Sequence, residues 1–118
     1  RESYEMFQSN NVWSVHSLTD FGGAVPFWAI ELDDQQRIKF YWGEKYFSMR
    51  SQDMPVVYVP TGALRWVKAE ALREKRSFYG EGALGFILPR KRAVDIDDEE
   101  DLLFARALLK VLQDEKDF

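Results

Sequence analysis

The sequence has 118 residues and no cysteine, and its formal net charge at pH 7 is −4. A chain of this length forms one domain or part of one, and the absence of cysteine excludes both a disulfide framework and a thiolate zinc site. The acidic balance argues against nucleic acid as a partner, because proteins that bind the phosphate backbone carry a basic stripe or a basic domain.

Hydropathy and cysteine usage bear on location. No apolar run approaches the ~20 residues that a membrane-spanning helix needs, and residues 1–9 lack the apolar core of a signal peptide. A chain without cysteine also suits a reducing compartment. We therefore expect a cytoplasmic protein with no membrane partner. Aromatic residues make up 15% of the chain, so we also expect a second protein surface to cover some of them.

The first half of the chain predicts one helix followed by strands. Tyr4 and Phe7 are spaced for one face of a helix, and Val12 to Leu18 alternate between two faces as in a strand. Four polar residues between two β-prone runs predict a β-hairpin. In chain order, the predicted elements are a helix at 2–9, a strand at 12–18, a hairpin with arms at 27–32 and 37–41, and an irregular loop at 43–55.

The second half mixes the two element types again. Apolar residues at spacings of three and four predict a terminal helix with one buried stripe, formed by Leu102, Ala105, Leu108, Leu109 and Leu112. The remaining predicted elements are strands at 56–59 and 63–67, a helix at 68–76, a strand at 84–88, a basic turn at 89–92, a strand at 94–97 and the terminal helix from about 99 to 115. This order predicts an α/β fold in a single domain.

The acidic segment before the terminal helix is the clearest candidate site. If residues 94–97 form a strand, Asp95 and Asp97 share one face. Magnesium takes one or two protein carboxylates and completes its octahedral shell with water and phosphate oxygens. The alternative is structural: Asp97 and Glu100 also fit a helix N-cap followed by a capping-box glutamate. The only histidine, His16, lies in a strand pattern and is interpreted as structural.

The order of the motifs resembles a known family. An R-x-Q loop, a strand entered through Gly-Ala-Leu, an aromatic pair and a V-D-I-D segment before a helix are similar to the C-terminal half of the acylneuraminate cytidylyltransferases, the CMP-sialic acid synthetases and their relatives. Here these motifs are Arg50-Ser51-Gln52-Asp53-Met54-Pro55, Thr61-Gly62-Ala63-Leu64, Phe78-Tyr79, and Val94-Asp95-Ile96-Asp97 with Asp101-Leu102-Leu103-Phe104-Ala105.

The resemblance implies an activity, partners and a fold. The anomeric hydroxyl of a nine-carbon acid sugar attacks the α-phosphate of CTP, giving a CMP-sugar and pyrophosphate. By the resemblance the fold is a Rossmann-like nucleotidyltransferase, and the hairpin at about 27–41 is the arm of a homodimer.

The resemblance also implies roles for individual residues. Asp95 and Asp97 would hold Mg²⁺ against the triphosphate, and Arg50 and Gln52 would lie near the sugar. The aromatic pair Phe78 and Tyr79 would enter the sugar pocket of a neighbouring subunit.

The chain departs from the family pattern at several positions. Ser51 stands where the family usually has arginine, Thr61 where it has asparagine, and Arg65 where an aromatic residue is common. A glycine-rich, basic loop for the CTP phosphates is absent from the sequence, so we expect a C-terminal segment of a longer enzyme that is inactive alone. The alternatives are a non-catalytic dimerisation or ligand-binding domain on the same scaffold, and a cytidylyltransferase for another acidic sugar.

Overall fold

The computed structural model describes residues 1–23 and 25–114 as helices, strands and connecting turns. The described helices are α1 (Glu2–Ser9), α2 (Ala69–Lys75) and α3 (Glu99–Asp114). The described strands are β1 (Ser14–Asp20), β2 (Ile30–Leu32), β3 (Ile38–Phe40), β4 (Tyr58–Val67) and β5 (Leu84–Ile87). The chain divides into two compact units, one of Arg1–Thr19 with Val59–Phe118 and one of Asp20–Tyr58.

The first unit is organised by β1. This strand is the middle one of a three-stranded sheet with the order β4-β1-β5, and it runs parallel to β5 with Val15 opposite Leu84. Parallel pairing requires a long crossover connection, as in α/β folds. The predicted α/β class is therefore confirmed.

The central strand carries mostly polar side chains although it is buried. Ser14, His16, Ser17 and Thr19 are all buried, with Val15 among them. The Ser17 hydroxyl donates to the Leu64 carbonyl (3.1 Å) and accepts from the Leu64 N–H (3.0 Å), and the Thr19 hydroxyl donates to the Leu88 carbonyl (2.9 Å). Buried hydroxyls are tolerated when bonded in this way, so β1 is tied to both flanking segments by side chains as well as by its backbone.

Two helices are joined to the sheet through aromatic and backbone contacts. On α1, Tyr4 packs against Trp66 of β4 with ring centroids 4.8 Å apart, and the Trp66 indole N–H donates to the buried Ser3 hydroxyl (3.1 Å). Before α2, the Lys68 N–H donates to the Trp13 carbonyl (3.1 Å). The predicted helices at 2–9 and 68–76 are thus confirmed, the second within a residue of its bounds at each end.

The second unit contains the predicted hairpin with shorter strands. β2 and β3 pair antiparallel, with Glu31 opposite Lys39. Asp33 shapes the turn: its Oδ1 accepts the N–H groups of Gln35 (2.8 Å) and Arg37 (2.9 Å), and its Oδ2 pairs with the Arg37 guanidinium (2.7 Å). The bond from the Arg37 N–H, followed by the guanidinium, lowers the pKa of Asp33.

The aromatic residues around the hairpin stack on one another. Phe40 stacks on Phe47 with centroids 3.7 Å apart, Phe27 stacks on Tyr46 (4.8 Å), and the Trp28 indole N–H donates to the Tyr46 carbonyl (2.8 Å). Part of the aromatic surface that the composition assigned to a partner is therefore covered within this unit.

Several predicted strands differ from the structure: β1 begins and ends two residues later than the strand predicted at 12–18, and the strands predicted at 56–59 and 63–67 form the single strand β4. β4 is continuous, whereas the sequence predicts a break at Pro60-Thr61-Gly62. Proline is tolerated because β4 is an edge strand, where the missing N–H costs no ladder bond. Gly62 has a left-handed φ of 70°, which glycine adopts without strain. The strand predicted at 94–97 is wrong. The N–H groups of Ile96 and Asp97 bond to carboxylates nearby in the sequence, which removes these two groups from any sheet ladder.

The terminal helix buries less than its pattern predicts. Of the expected stripe only Leu112 is buried, while Ala105, Leu108 and Leu109 line a groove of about 530 Å³ together with Arg92 and Val94. The predicted helix extended to about residue 115, and its last position lies outside the described residues. None of the helices in residues 1–23 and 25–114 combines the length and apolarity that a bilayer crossing requires.

Candidate functional site

The acidic segment forms an exposed turn that leads into α3. Asp95 and Asp97 are both exposed, and the Oδ1 of Asp95 accepts the N–H of Ile96 (3.1 Å). Val94 and Ile96 are exposed as well, so no buried apolar face lies opposite the two carboxylates, as a strand with one acidic face would have. The two carboxylates remain within one short, solvent-facing turn.

The helix cap lies one residue later than predicted. The Asp98 carboxylate accepts the Asp101 N–H (2.9 Å), and the Asp101 carboxylate accepts the Asp98 N–H (3.3 Å) and the Asp97 N–H (3.0 Å). This reciprocal pair is a capping box with Asp101 in the place usually taken by glutamate. The predicted cap of Asp97 with Glu100 is therefore wrong, and the Asp97 side chain is not the capping group.

The donor set suits a cation that needs few protein ligands. Among residues 1–23 and 25–114 there is no cluster of three or more His, Cys, Asp or Glu side chains able to hold a metal ion. A dedicated calcium or zinc cage is therefore not formed by these residues. Two exposed carboxylates that are not needed for the cap fit Mg²⁺, which uses one or two carboxylates and takes its other oxygens from water and phosphate.

The side chains of the aromatic pair are half-exposed, and each ring contacts another side chain of the same chain. Phe78 and Tyr79 keep 44% and 48% of their surface in contact with solvent. The Tyr79 ring stacks on the His16 ring with centroids 4.1 Å apart and 13° between the planes, and the Arg65 guanidinium lies 5.4 Å from the centre of the Phe78 ring. The Ser77 hydroxyl bonds to both the N–H and the carbonyl of Tyr79. One face of each ring thus has a partner in its own chain.

His16 connects this pair to the core of the sheet. It is 3% exposed, and its Nε2 lies 3.0 Å from the Phe78 carbonyl and 2.8 Å from the Ser14 hydroxyl. Because a carbonyl can only accept, the contact to Phe78 requires the proton on Nε2. Nδ1 is then an acceptor, and it is buried without a bond among the described residues.

The surroundings of His16 keep it neutral. Burial lowers the pKa of His16, the bond to the Phe78 carbonyl opposes this by raising it, and the positive charge of Arg65 lowers it further. The structural interpretation of His16 agrees with its burial. Its contact with Tyr79 could not be found from the sequence, because 63 positions separate the two residues and no local pattern joins them.

The predicted R-x-Q residues lie in the second unit. Arg50 and Gln52 are exposed, and the Arg50 Nε donates to the Asp53 Oδ2 (2.9 Å). This ion pair leaves the other N–H groups of the guanidinium available to an anion. The structure therefore groups Phe78 and Tyr79 on one loop and Asp95 and Asp97 on one turn of the first unit, and it places Arg50 and Gln52 on a short helical turn of the second.

Comparison with known proteins gives one kind of relative. No family model matches the chain. Over 111 residues it is 30% identical to the pseudaminic acid cytidylyltransferases of Campylobacter jejuni subsp. jejuni serotypes O:23/36 and O:2, covering 94% of this chain and 47% of each relative. The chain thus spans about half the length of these relatives. The similarity confirms the resemblance that the order of the motifs indicated.

Replacement of the capping residue tests the geometry of the α3 start. We expect Asp98→Ala to lower the free energy of unfolding by about 1 kcal/mol, because the Asp101 N–H loses its acceptor. Asp97→Ala is the matched control and should change stability by less than about 0.5 kcal/mol. Chemical denaturation of both variants measures the difference, and a larger loss in Asp97→Ala would contradict the assigned cap.

The lowered pKa of His16 predicts how stability depends on pH. The unfolded chain takes up a proton on His16 near pH 6.5, whereas the folded protein does so only at lower pH. The free energy of unfolding should therefore fall as pH drops below about 6.5, by at most about 1.4 kcal/mol per pH unit. Denaturation at pH 7.5, 6.5 and 5.5 should show this slope in the wild type and a shallower one in His16→Gln. Equal slopes would refute a neutral, buried His16.

Proposed function

We propose that this chain is part of a cytidylyltransferase that transfers CMP from CTP to a nonulosonic acid, releasing pyrophosphate. The observation that carries the proposal is the 30% identity to pseudaminic acid cytidylyltransferases along 94% of the chain. The aligned length covers 47% of those proteins, so other parts of a full-length enzyme would supply the binding of the CTP phosphates.

The acidic turn is the proposed Mg²⁺ site. Asp95 and Asp97 would hold the ion, which when bound neutralises charge on the triphosphate. The exposure of both carboxylates supports this role, since neither is consumed by the capping box of Asp98 and Asp101. Phosphoryl and nucleotidyl transfers depend mainly on positioning and charge neutralisation, so no covalent nucleophile is needed in this chain.

The aromatic pair and the R-x-Q loop are the proposed sugar contacts. The exposed faces of Phe78 and Tyr79 would pack against apolar groups of the sugar, and Arg50 with Gln52 would bind its carboxylate and hydroxyls. The half-exposure of both rings supports this, because a loop that only closed the core would bury them further. The family resemblance implies that this pair enters the sugar site of a second subunit, and we include this role in the proposal.

We also propose the fold and the homodimer on the basis of the same resemblance. The parallel β1–β5 pair is compatible with a Rossmann-like nucleotidyltransferase, and the hairpin is the proposed dimerisation arm. Three aliphatic side chains of the hairpin are 45–62% exposed: Ile30, Leu32 and Ile38. Apolar residues in such a cluster on a short two-stranded sheet favour a protein partner, and a second copy across a two-fold axis is the simplest one.

Release of pyrophosphate tests the proposed activity. The full-length protein that contains this chain should release pyrophosphate from CTP in the presence of pseudaminic acid and Mg²⁺, and Asp95→Asn and Asp97→Asn should each lower kcat at least roughly 100-fold. Both changes are nearly isosteric and surface-exposed, so the melting temperature should stay the same.

Asp98→Asn is the matched control, because asparagine also serves as an N-cap and should leave kcat within about twofold. Equal kcat values in all three variants would remove Asp95 and Asp97 from the metal site. Absence of pyrophosphate release by the wild type with any nonulosonic acid would favour a non-catalytic binding domain.

Disruption of the hairpin tests the proposed dimer. We expect Leu32→Glu combined with Ile38→Glu to convert a dimer into a monomer, because two buried charges at a two-fold interface are desolvated without partners. Val56→Glu, a change at another exposed aliphatic residue of the same unit, serves as the control and should leave the dimer intact. Analytical ultracentrifugation at tens of micromolar measures the mass, and a wild type that sediments as a monomer would contradict the assignment.

A further inference from the structure

We infer that His16 is a positioning residue that sets the orientation of the Phe78–Tyr79 pair for ligand binding. The inference rests on the proposed function, in which this pair contacts the sugar, and adds a residue outside the motifs that carry the family resemblance. It starts from a buried, neutral imidazole on the central strand that makes both a hydrogen bond to one residue of the pair and a ring stack on the other.

The two contacts restrain the loop in different ways. The bond from Nε2–H to the Phe78 carbonyl (3.0 Å) fixes the backbone, and the stack of the imidazole on Tyr79 (4.1 Å) fixes the orientation of one ring. The Ser14 hydroxyl, 2.8 Å from the same nitrogen, and the strand itself hold the imidazole in place. The outer faces of the pair are thereby presented to solvent in one arrangement rather than many.

One neighbouring contact restricts the loop further. The next residue is Gly80, where an added Cβ would lie 2.6 Å from the Trp13 ring, so the backbone there passes directly over the residue that precedes β1. Preorganisation of this kind raises affinity by reducing the entropy lost on binding. Removal of the His16 contacts should therefore weaken ligand binding without changing any group that touches the ligand.

Two substitutions separate the contacts. His16→Phe keeps a flat ring under Tyr79 and loses the hydrogen bond, and His16→Gln keeps a side-chain N–H near the position of Nε2 and loses the ring. Thr19→Val is the matched control, since it removes one buried hydrogen bond from the same strand, to the Leu88 carbonyl, and does not touch the loop.

Hydrogen exchange of the amides of residues 77–80 gives a readout that needs no activity. In the full-length protein without substrates, we expect exchange at these amides to rise roughly fivefold in His16→Phe, the effect of one lost net hydrogen bond, and to stay within twofold in Thr19→Val. His16→Gln should show a smaller rise than His16→Phe. Unchanged exchange in both His16 variants, or an equal rise in Thr19→Val, would overturn the inference.

Kinetics then connect the loop to the ligand. In both His16 variants the KM for pseudaminic acid should rise at least roughly fivefold, while the KM for CTP and the kcat stay within twofold. Equal increases in the two KM values would overturn the positioning role. If neither the wild type nor the variants release pyrophosphate but the exchange difference is seen, the proposed function is wrong and the positioning of the loop by His16 still holds.

A measurement on the wild-type protein tests the inference even if the His16 variants do not fold. The ¹⁵N resonances of the His16 imidazole should show the neutral Nε2–H form. They can be assigned by their loss in His16→Gln or, if that variant is insoluble, by contacts to Tyr79. They should shift when pseudaminic acid is added without CTP. A protonated imidazole at pH 7, or resonances that pseudaminic acid leaves unchanged, would contradict the inference.

Discussion

The first unit depends on the hydrogen bonding of buried polar side chains along β1. A central strand usually excludes water with aliphatic residues, whereas this one buries two serines, a histidine and a threonine. Each such group loses water on folding, and leaving it unbonded would cost more than a satisfied bond contributes. The bonds from Ser17 to Leu64 and from Thr19 to Leu88 therefore fix both neighbouring segments at defined positions along β1.

The same constraint extends to the candidate site. His16 can remain buried only as a neutral ring whose N–H is bonded, and its bond acceptor is the carbonyl of Phe78. The loop that carries the aromatic pair thus supplies the hydrogen-bond acceptor that allows His16 of β1 to be buried. The acidic turn is independent of this network, since the capping box alone fixes the start of α3 and leaves Asp95 and Asp97 exposed.

The sequence predicted those features that depend on local pattern. The helix at Glu2–Ser9, the hairpin and the terminal helix follow from periodicity and turn residues, and their existence is confirmed. The strand at 94–97 failed because alternation cannot show that nearby carboxylates take the backbone N–H groups. The Asp98 cap was missed because the five consecutive acidic residues at 97–101 fit the same motif in more than one register. The contact of His16 with Tyr79 is long-range, and a single sequence holds no signal for it.

Hydrogen exchange of the β1 backbone amides measures how firmly the bonded polar side chains hold this strand. If the bonded polar side chains lock β1 between its neighbours, the amides of Val15 to Leu18 should exchange only through global unfolding, with protection equal to the free energy of unfolding measured by denaturant. They should be the slowest in residues 1–19 and 59–114. Faster exchange through local opening, with greater protection in α3 than in β1, would show that these side-chain bonds do not hold β1 in place.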